Sequence, residues 1–189
     1  MGKVFEQIDD KLREFIAGQR MFFVASAPLT GDGHVNLSPK GLDAFRVLGP
    51  TTVAYLDLAG SGVETIAHLR ENGRITLLFC AFEGPPKILR LYGEGRPVFP
   101  GDDGWDDLIS LFPTLPGTRS VIVVECTRIA DSCGFGIPLY DFRGDRTQLT
   151  AYADRKGEEG ILDYMRTRNR TSLDGLDGLA GIAAYEEPS

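Results

Sequence analysis

Across residues 4–16 the apolar positions Val4, Phe5, Ile8, Leu12, Phe15 and Ile16 return at helical spacing with charges between them. This predicts an amphipathic helix that stops at Gly18. The period then shortens to that of strands. Residues 21–27 are aromatic and β-branched and lead into the turn formers of residues 28–33; residues 34–38 alternate in polarity, and residues 51–58 are strongly β-prone. Residues 63–72 place Ile66 and Leu69 on one side of a short helix and Glu64, His68, Arg70 and Glu71 on the other, with Asn72-Gly73 closing it. Residues 74–82 are almost wholly apolar, as in a strand covered on both faces, and Pro85-Pro86 ends the run. Residues 87–98 form a further strand in which Gly93 and Gly95 mark a bulge or a close backbone approach. A helix over residues 105–112 behind Asp102 and Asp103, then a strand over residues 120–129, complete a count of six or seven strands.

After residue 129 the pattern changes. Residues 132–138 are glycine-rich and irregular, residues 149–168 are charged and helical in spacing, and residues 172–179 carry too much glycine for a helix. With 189 residues and 42% apolar content, one core is expected. The division that follows is a domain over residues 1–130 and an extension over residues 131–189, packed on that domain and not independent of it. A net charge of −7 argues against nucleic acid or anionic lipid as partners, since phosphates need a basic footprint. The three cysteines, Cys80, Cys126 and Cys133, are far apart, which suits a reducing cytoplasm rather than a disulfide framework. The N-terminal residues lack the basic-then-apolar layout of a signal peptide, and no apolar run approaches the roughly 20 residues a membrane helix needs. A soluble cytoplasmic protein is expected. His34 and His68 have no zinc-like ligand spacing around them, so no metal site is expected.

Two segments hold candidate chemistry. Ser38-Pro39-Lys40-Gly41 offers a hydroxyl, an ammonium and a flexible backbone at a strand end, enough to hold a phosphate or simply to form an exposed turn. From Asp57 to Thr65 a β-run passes through Gly60-Ser61-Gly62 into a helix. Amides at the helix start, with the hydroxyls of Ser61 and Thr65, suit an anion; alternatively Ser61 is an N-cap and Glu64 completes its capping box. A basic strand end and a strand-to-helix turn, one strand apart, can converge on one phosphate.

The order of these motifs resembles the pyridoxamine 5′-phosphate oxidase family. The similarity covers residues 5–130: a helix, a strand, Val35-Asn36-Leu37-Ser38-Pro39-Lys40-Gly41, a hairpin ending in Tyr55-Leu56-Asp57, a Gly-Ser-Gly turn with Thr65, a short helix, and Arg74-Ile75-Thr76-Leu77-Leu78-Phe79. The strand Ile88-Leu89-Arg90-Leu91-Tyr92-Gly93-Glu94-Gly95 resembles the family's next strand. The resemblance implies an α+β, β-rich fold: a six-stranded Greek-key split β-barrel with flanking helices, here followed by a helical and irregular C-terminal extension. It also implies a homodimer with FMN in clefts at the subunit interface. Carried over residue by residue, Ser38 and Lys40 flank the flavin and its phosphate, while Tyr55, Leu56 and Asp57 lie along the isoalloxazine edge. Ser61, Gly62 and Thr65 bind phosphate, and Ile88 and Arg90 reach the flavin from the other subunit.

This chain departs from the family pattern in two places. Its phosphate turn has Gly62, Val63 and Glu64 where basic residues are usual, and its tail has Asp174-Gly175-Leu176-Asp177-Gly178 in place of an Arg-x-His substrate signature. Vitamin B6 oxidation is therefore not assigned. The expectation is an FMN-dependent oxidoreductase acting on a small organic substrate; the alternatives are a flavin-sequestering module, a deazaflavin-binding protein or a cofactor-free dimer of the same fold. Cys133 is expected to be a small packed residue and His68 a surface residue of its helix. The 132–140 loop is a candidate cover for a cleft mouth, with Tyr140 beside it.

Overall fold

Asp9 decides where the first helix begins: its carboxylate accepts the N–H of Leu12 at 2.8 Å, so helix α1 spans Asp10–Ala17. Upstream of this cap Val4–Phe5 forms a short strand, β1, paired with Ile129 and Ala130, in place of the helical turn predicted there. The computed structural model describes residues 2–186. It continues with β2 (Phe22–Ser26), β3 (Asn36–Lys40), β4 (Phe45–Val47), β5 (Thr52–Leu58), α2 (Glu64–Asn72), β6 (Arg74–Cys80), β7 (Ile88–Val98), α3 (Trp105–Ile109), β8 (Thr118–Ser132) and α4 (Gln148–Arg168). The strands form one 8-stranded sheet in the order β3-β2-β6-β7-β8-β5-β4, with β1 added to β8, and every pairing is antiparallel. The sheet curls into a split barrel whose seam lies between its end strands, β3 and β4. The strands beyond the expected six are the short β1 and β4.

Local chemistry explains the ladder's irregularities. Pro39, which has no N–H to give, sits on the edge strand β3. At the bulge between Tyr92 and Gly93, a Cβ on Gly93 would lie 2.2 Å from the Glu125 carbonyl oxygen, so only glycine fits. The C-cap Gly73 takes φ 71°, closing α2 where the Asn72-Gly73 pair predicted.

Inside the barrel, α1 and α2 contribute Leu12, Ile16, Ile66 and Leu69 to a core with Val24, Tyr55, Leu77 and Phe79. Ala153, Ile161, Met165, Leu179 and Tyr185 of the C-terminal extension join the same core. A second cluster, with Ala54, Leu56, Val121 and Val123, lies on the outer face beneath the α3 region. Residues 2–186 leave the rest of that outer face open. The register places Phe23, Leu37, Pro39, Leu78, Ile88 and Arg90 there, and Leu37 is 66% exposed.

Two expectations are corrected. His68 is fully buried, its Nδ1 within 2.9 Å of Ser26 Oγ, because β2 and β7 as well as β6 pack on α2 and leave it little polar face. Burial holds the imidazole below its ordinary pKa, with Asp174, Glu64 and Glu71 opposing. Cys133 is exposed, because the chain leaves the sheet directly after Ser132.

Candidate anion site at the seam of the barrel

A strand exposes alternate side chains to one face, so Asn36, Ser38 and Lys40 of β3 all point to the inner side of the sheet. At one end of this row Asn36 Nδ2 donates to Thr65 Oγ1 at 2.9 Å, across the seam in the first turn of α2. At the other end Lys40 Nζ donates to Asp57 Oδ1 at 3.3 Å, at the end of β5. Ser38 Oγ, between them, donates to Asn36 Oδ1 at 3.0 Å. Asn36 thus ties one end of β3 to the first turn of α2 and Lys40 ties the other to the end of β5, bridges made by side chains where the backbone ladder stops.

Asp57 is the electrostatic centre. Its side chain is buried, and its second oxygen, Oδ2, accepts from Arg119 Nε at 2.7 Å and from Ser120 Oγ at 3.4 Å. Burial opposes ionisation of Asp57, but the Arg119 guanidinium and then the Lys40 ammonium outweigh it, holding the carboxyl below its usual range. One carboxylate with two cations leaves one positive charge uncompensated within the group. Lys40, with 23% of its side chain exposed against 4% for Arg119, is the part of the group open to a ligand.

The α2 start does not have the capping box that is the alternative to an anion site there. Its N-cap is Val63, and among the described residues no side chain caps it. The Glu64 carboxylate turns back against Gly62 and accepts the N–H of Leu173 at 3.4 Å. Its negative charge weakens the turn's own pull on an anion, so the attraction rests on Lys40 and Arg119.

The other expected site residues are dispersed. Tyr55 is wholly inside the core, stacked edge-on against Phe22, and Leu56 points to the opposite face beneath α3. Among the described residues the Tyr55 hydroxyl has no hydrogen-bond partner. Tyr55→Phe is therefore expected to leave stability unchanged or raise it by up to about 1 kcal/mol in urea denaturation, since it removes an unsatisfied buried group. A loss above about 1 kcal/mol would mean that the hydroxyl has a partner. Ile88 and Arg90 lie on the open outer face, and Arg90 Nη1 donates to Ser132 Oγ at 3.1 Å.

Lys40 also forms part of the wall of a cleft of about 940 Å³, bounded by Arg20, Leu42, Phe82, Tyr140, Phe142 and Arg146. Its far wall is the irregular segment after β8. This segment is pinned by the Tyr140 N–H to the Phe82 carbonyl at 2.9 Å, by stacking of those two rings, and by Arg20 over the Phe142 ring. Residues 140–146, more than the 132–138 glycine-rich stretch, supply this cover. Neither Cys126 nor Cys80 is a reactive thiol: burial pushes Cys126 up to about 11, and Cys80 is raised for the same reason. Among the described residues no group of His, Cys, Asp and Glu side chains is placed to hold a metal.

A curled antiparallel split barrel with a cation-rich seam defines a class, and comparison with known proteins gives it a family. A model of the pyridoxamine 5′-phosphate oxidase family matches residues 8–133. The chain is 41% identical over 192 residues to the pyridoxamine 5′-phosphate oxidase family protein ustO of Aspergillus flavus, covering 93% of this chain and 77% of that one. This protein belongs to the pyridoxamine 5′-phosphate oxidase family. Among solved structures, a single-substitution variant of HupZ from Group A Streptococcus shares the fold with a TM-score of 0.52 and 19% identity, covering 66% of this chain and 99% of that one. A Lactobacillus delbrueckii protein provisionally classed as a pyridoxamine 5′-phosphate oxidase superposes with a TM-score of 0.51 at 14% identity, covering 67% of this chain and 98% of that one.

Arg119 and Asn169 are the site residues that sequence reasoning missed. Arg119 had a signal: it stands at the head of the apolar run Val121-Ile122-Val123-Val124, and an arginine entering a buried strand must find a partner. Asn169 had none, because its partners are brought to it only by the fold.

Proposed function

We propose that the protein binds FMN with the phosphate at the seam beside Lys40 and Ser61, as a homodimer, and acts as an oxidoreductase on a small organic substrate. The observation that carries this reading is the Asp57–Arg119–Lys40 group, which holds a surplus positive charge next to an uncapped helix start. In this reading the hydroxyls of Ser38, Ser61 and Thr65 supply the further donors, since the turn lacks basic residues. When bound, a flavin supplies hydride or electron transfer, chemistry the side chains themselves lack. Asp57 is held ionised and fully paired, so it orients Lys40 and does not move a proton. The 140–146 segment forms the outer wall of the cleft beside Lys40. Ile88 and Arg90, on the opposite face of the sheet, reach a flavin only if they come from a second subunit.

The absorption spectrum of purified protein tests the cofactor. Flavin bands, or their gain on adding FMN, support the reading; colourless protein that takes up no FMN sinks it and leaves a deazaflavin or a cofactor-free dimer. Stopped-flow mixing with NADH or NADPH then separates an oxidoreductase from a sequestering module, because a module's flavin stays oxidised. Lys40→Ala is expected to weaken FMN binding by about 1.5–3 kcal/mol, the scale of a charge-assisted hydrogen bond. An unchanged FMN affinity in a fluorescence titration would remove the phosphate from this site.

A further inference from the structure

The C-terminal extension reaches the seam from beyond the stretch that matches the family. Asn169, one residue past α4, is fully buried. Its Nδ2 donates to the Gly60 carbonyl at 3.1 Å, and its Oδ1 accepts from Arg119 Nη1 at 2.9 Å. The same Nη1 donates to the Gly62 carbonyl at 3.0 Å. Both carbonyls that flank Ser61 are therefore drawn inward, one by Asn169 directly and the other by the guanidinium that Asn169 holds. In a trans peptide the C=O of one residue and the N–H of the next point in opposite directions. Turning the Gly60 carbonyl inward thus turns the N–H of Ser61 outward, to the side where Ser61 is exposed, while Val63 stays buried against Gly178. Among the described residues the Ser61 amide has no backbone acceptor.

The extension is seated tightly there. A Cβ on Gly178 would lie 2.4 Å from Val63 Cγ1 and 2.7 Å from the Asn169 carbonyl oxygen. Gly178 and Leu179 donate their N–H groups to the carbonyls of Arg170 and Asn169 at 2.7 and 2.9 Å, and the Tyr185 hydroxyl donates to the Arg119 carbonyl.

We propose that Asn169 is a positioning residue that, directly at Gly60 and through Arg119 at Gly62, sets the Gly60-Ser61-Gly62 turn with the Ser61 amide facing an anion, so that the C-terminal extension completes the phosphate site. This rests on the flavin reading above for the identity of the ligand, but the ordering of the turn is independent of it. The full-length chain and its Asn169→Ala variant are titrated with FMN and with riboflavin, which lacks the phosphate. FMN affinity is expected to fall at least tenfold in the variant, about 1.4 kcal/mol, while riboflavin affinity stays within about twofold. Backbone amide order parameters from NMR, measured without flavin, are expected to fall at Ser61, Gly62 and Val63 from about 0.85 to below about 0.6. Asn169→Asp keeps an acceptor for Arg119 while losing the donor to Gly60, and serves if the alanine variant does not fold; it is expected to release Ser61 and to lower FMN affinity at least tenfold. Equal losses for FMN and riboflavin, or an unchanged turn, overturn the proposal. Wild-type protein that binds neither flavin while the variants free the turn overturns the flavin reading and leaves the positioning role standing.

Discussion

Asp57→Asn is expected to destabilise the protein by about 3–5 kcal/mol at pH 7, because it leaves the buried Arg119 guanidinium without its counter-charge. Lys40 can turn towards solvent through its exposed fraction, but Arg119, 4% exposed and fixed by Gly62 and Asn169, cannot. Urea denaturation measures the loss. The pH dependence gives a second reading. The folded carboxyl titrates below its unfolded value of about 3.9, so its stabilisation is complete above that value and is lost as pH falls through the folded pKa. The wild-type protein should therefore lose stability below about pH 4 by a step that Asp57→Asn lacks. A loss smaller than about 1 kcal/mol at pH 7, or the same acid limb in both proteins, would show that the cluster is not a buried ion pair.

The second large effect concerns the open outer face. Leu37→Glu is expected to leave the fold of one chain intact, since Leu37 is already 66% exposed, but to prevent the proposed homodimer from forming. Leu37 shares an uncovered sheet face with Pro39, Phe23 and Leu78 beside an edge strand, a surface that an isolated chain would leave wet. A carboxylate placed there would be buried without a partner when two chains meet, a cost of several kcal/mol. Sedimentation velocity should show a dimer for the wild type and a monomer for the variant. If the proposed dimer holds the flavin, FMN affinity should fall at least tenfold with it, because Ile88 and Arg90 would no longer be supplied from the second subunit. Leu173→Glu, also at an exposed leucine but on the extension, should leave the dimer intact. A Leu37→Glu protein that still sediments as a dimer with full flavin would place the interface elsewhere.

Much of the scaffold was legible because its determinants are local. Alternation in residues 34–38, the β-branched run before Asp57, and Asn72-Gly73 each act within one or two turns of chain, and each produced the element it predicted. The bulge at Gly93 was foreseen on the same grounds. The errors arose where a local signal had two outcomes. Val4 and Phe5 fit a helix or an edge strand, and the cap at Asp9 chose the strand. The Ser61 and Glu64 pair fits a capping box, yet Glu64 turned instead to the amide of Leu173, 109 residues away.

What the sequence determined by itself was the six long strands and the helices that accompany them along the chain, because backbone propensity and hydrophobic period act over a few residues. Only the tertiary structure decided which charges count. It buried Arg119 against Asp57, drew Asn169 beneath the turn, hid Tyr55 and His68 in the core, and sent Ile88 and Arg90 to the far face of the sheet. Burial and long-range pairing depend on how the sheet curls, and a carboxylate's worth depends on what surrounds it once water has been excluded.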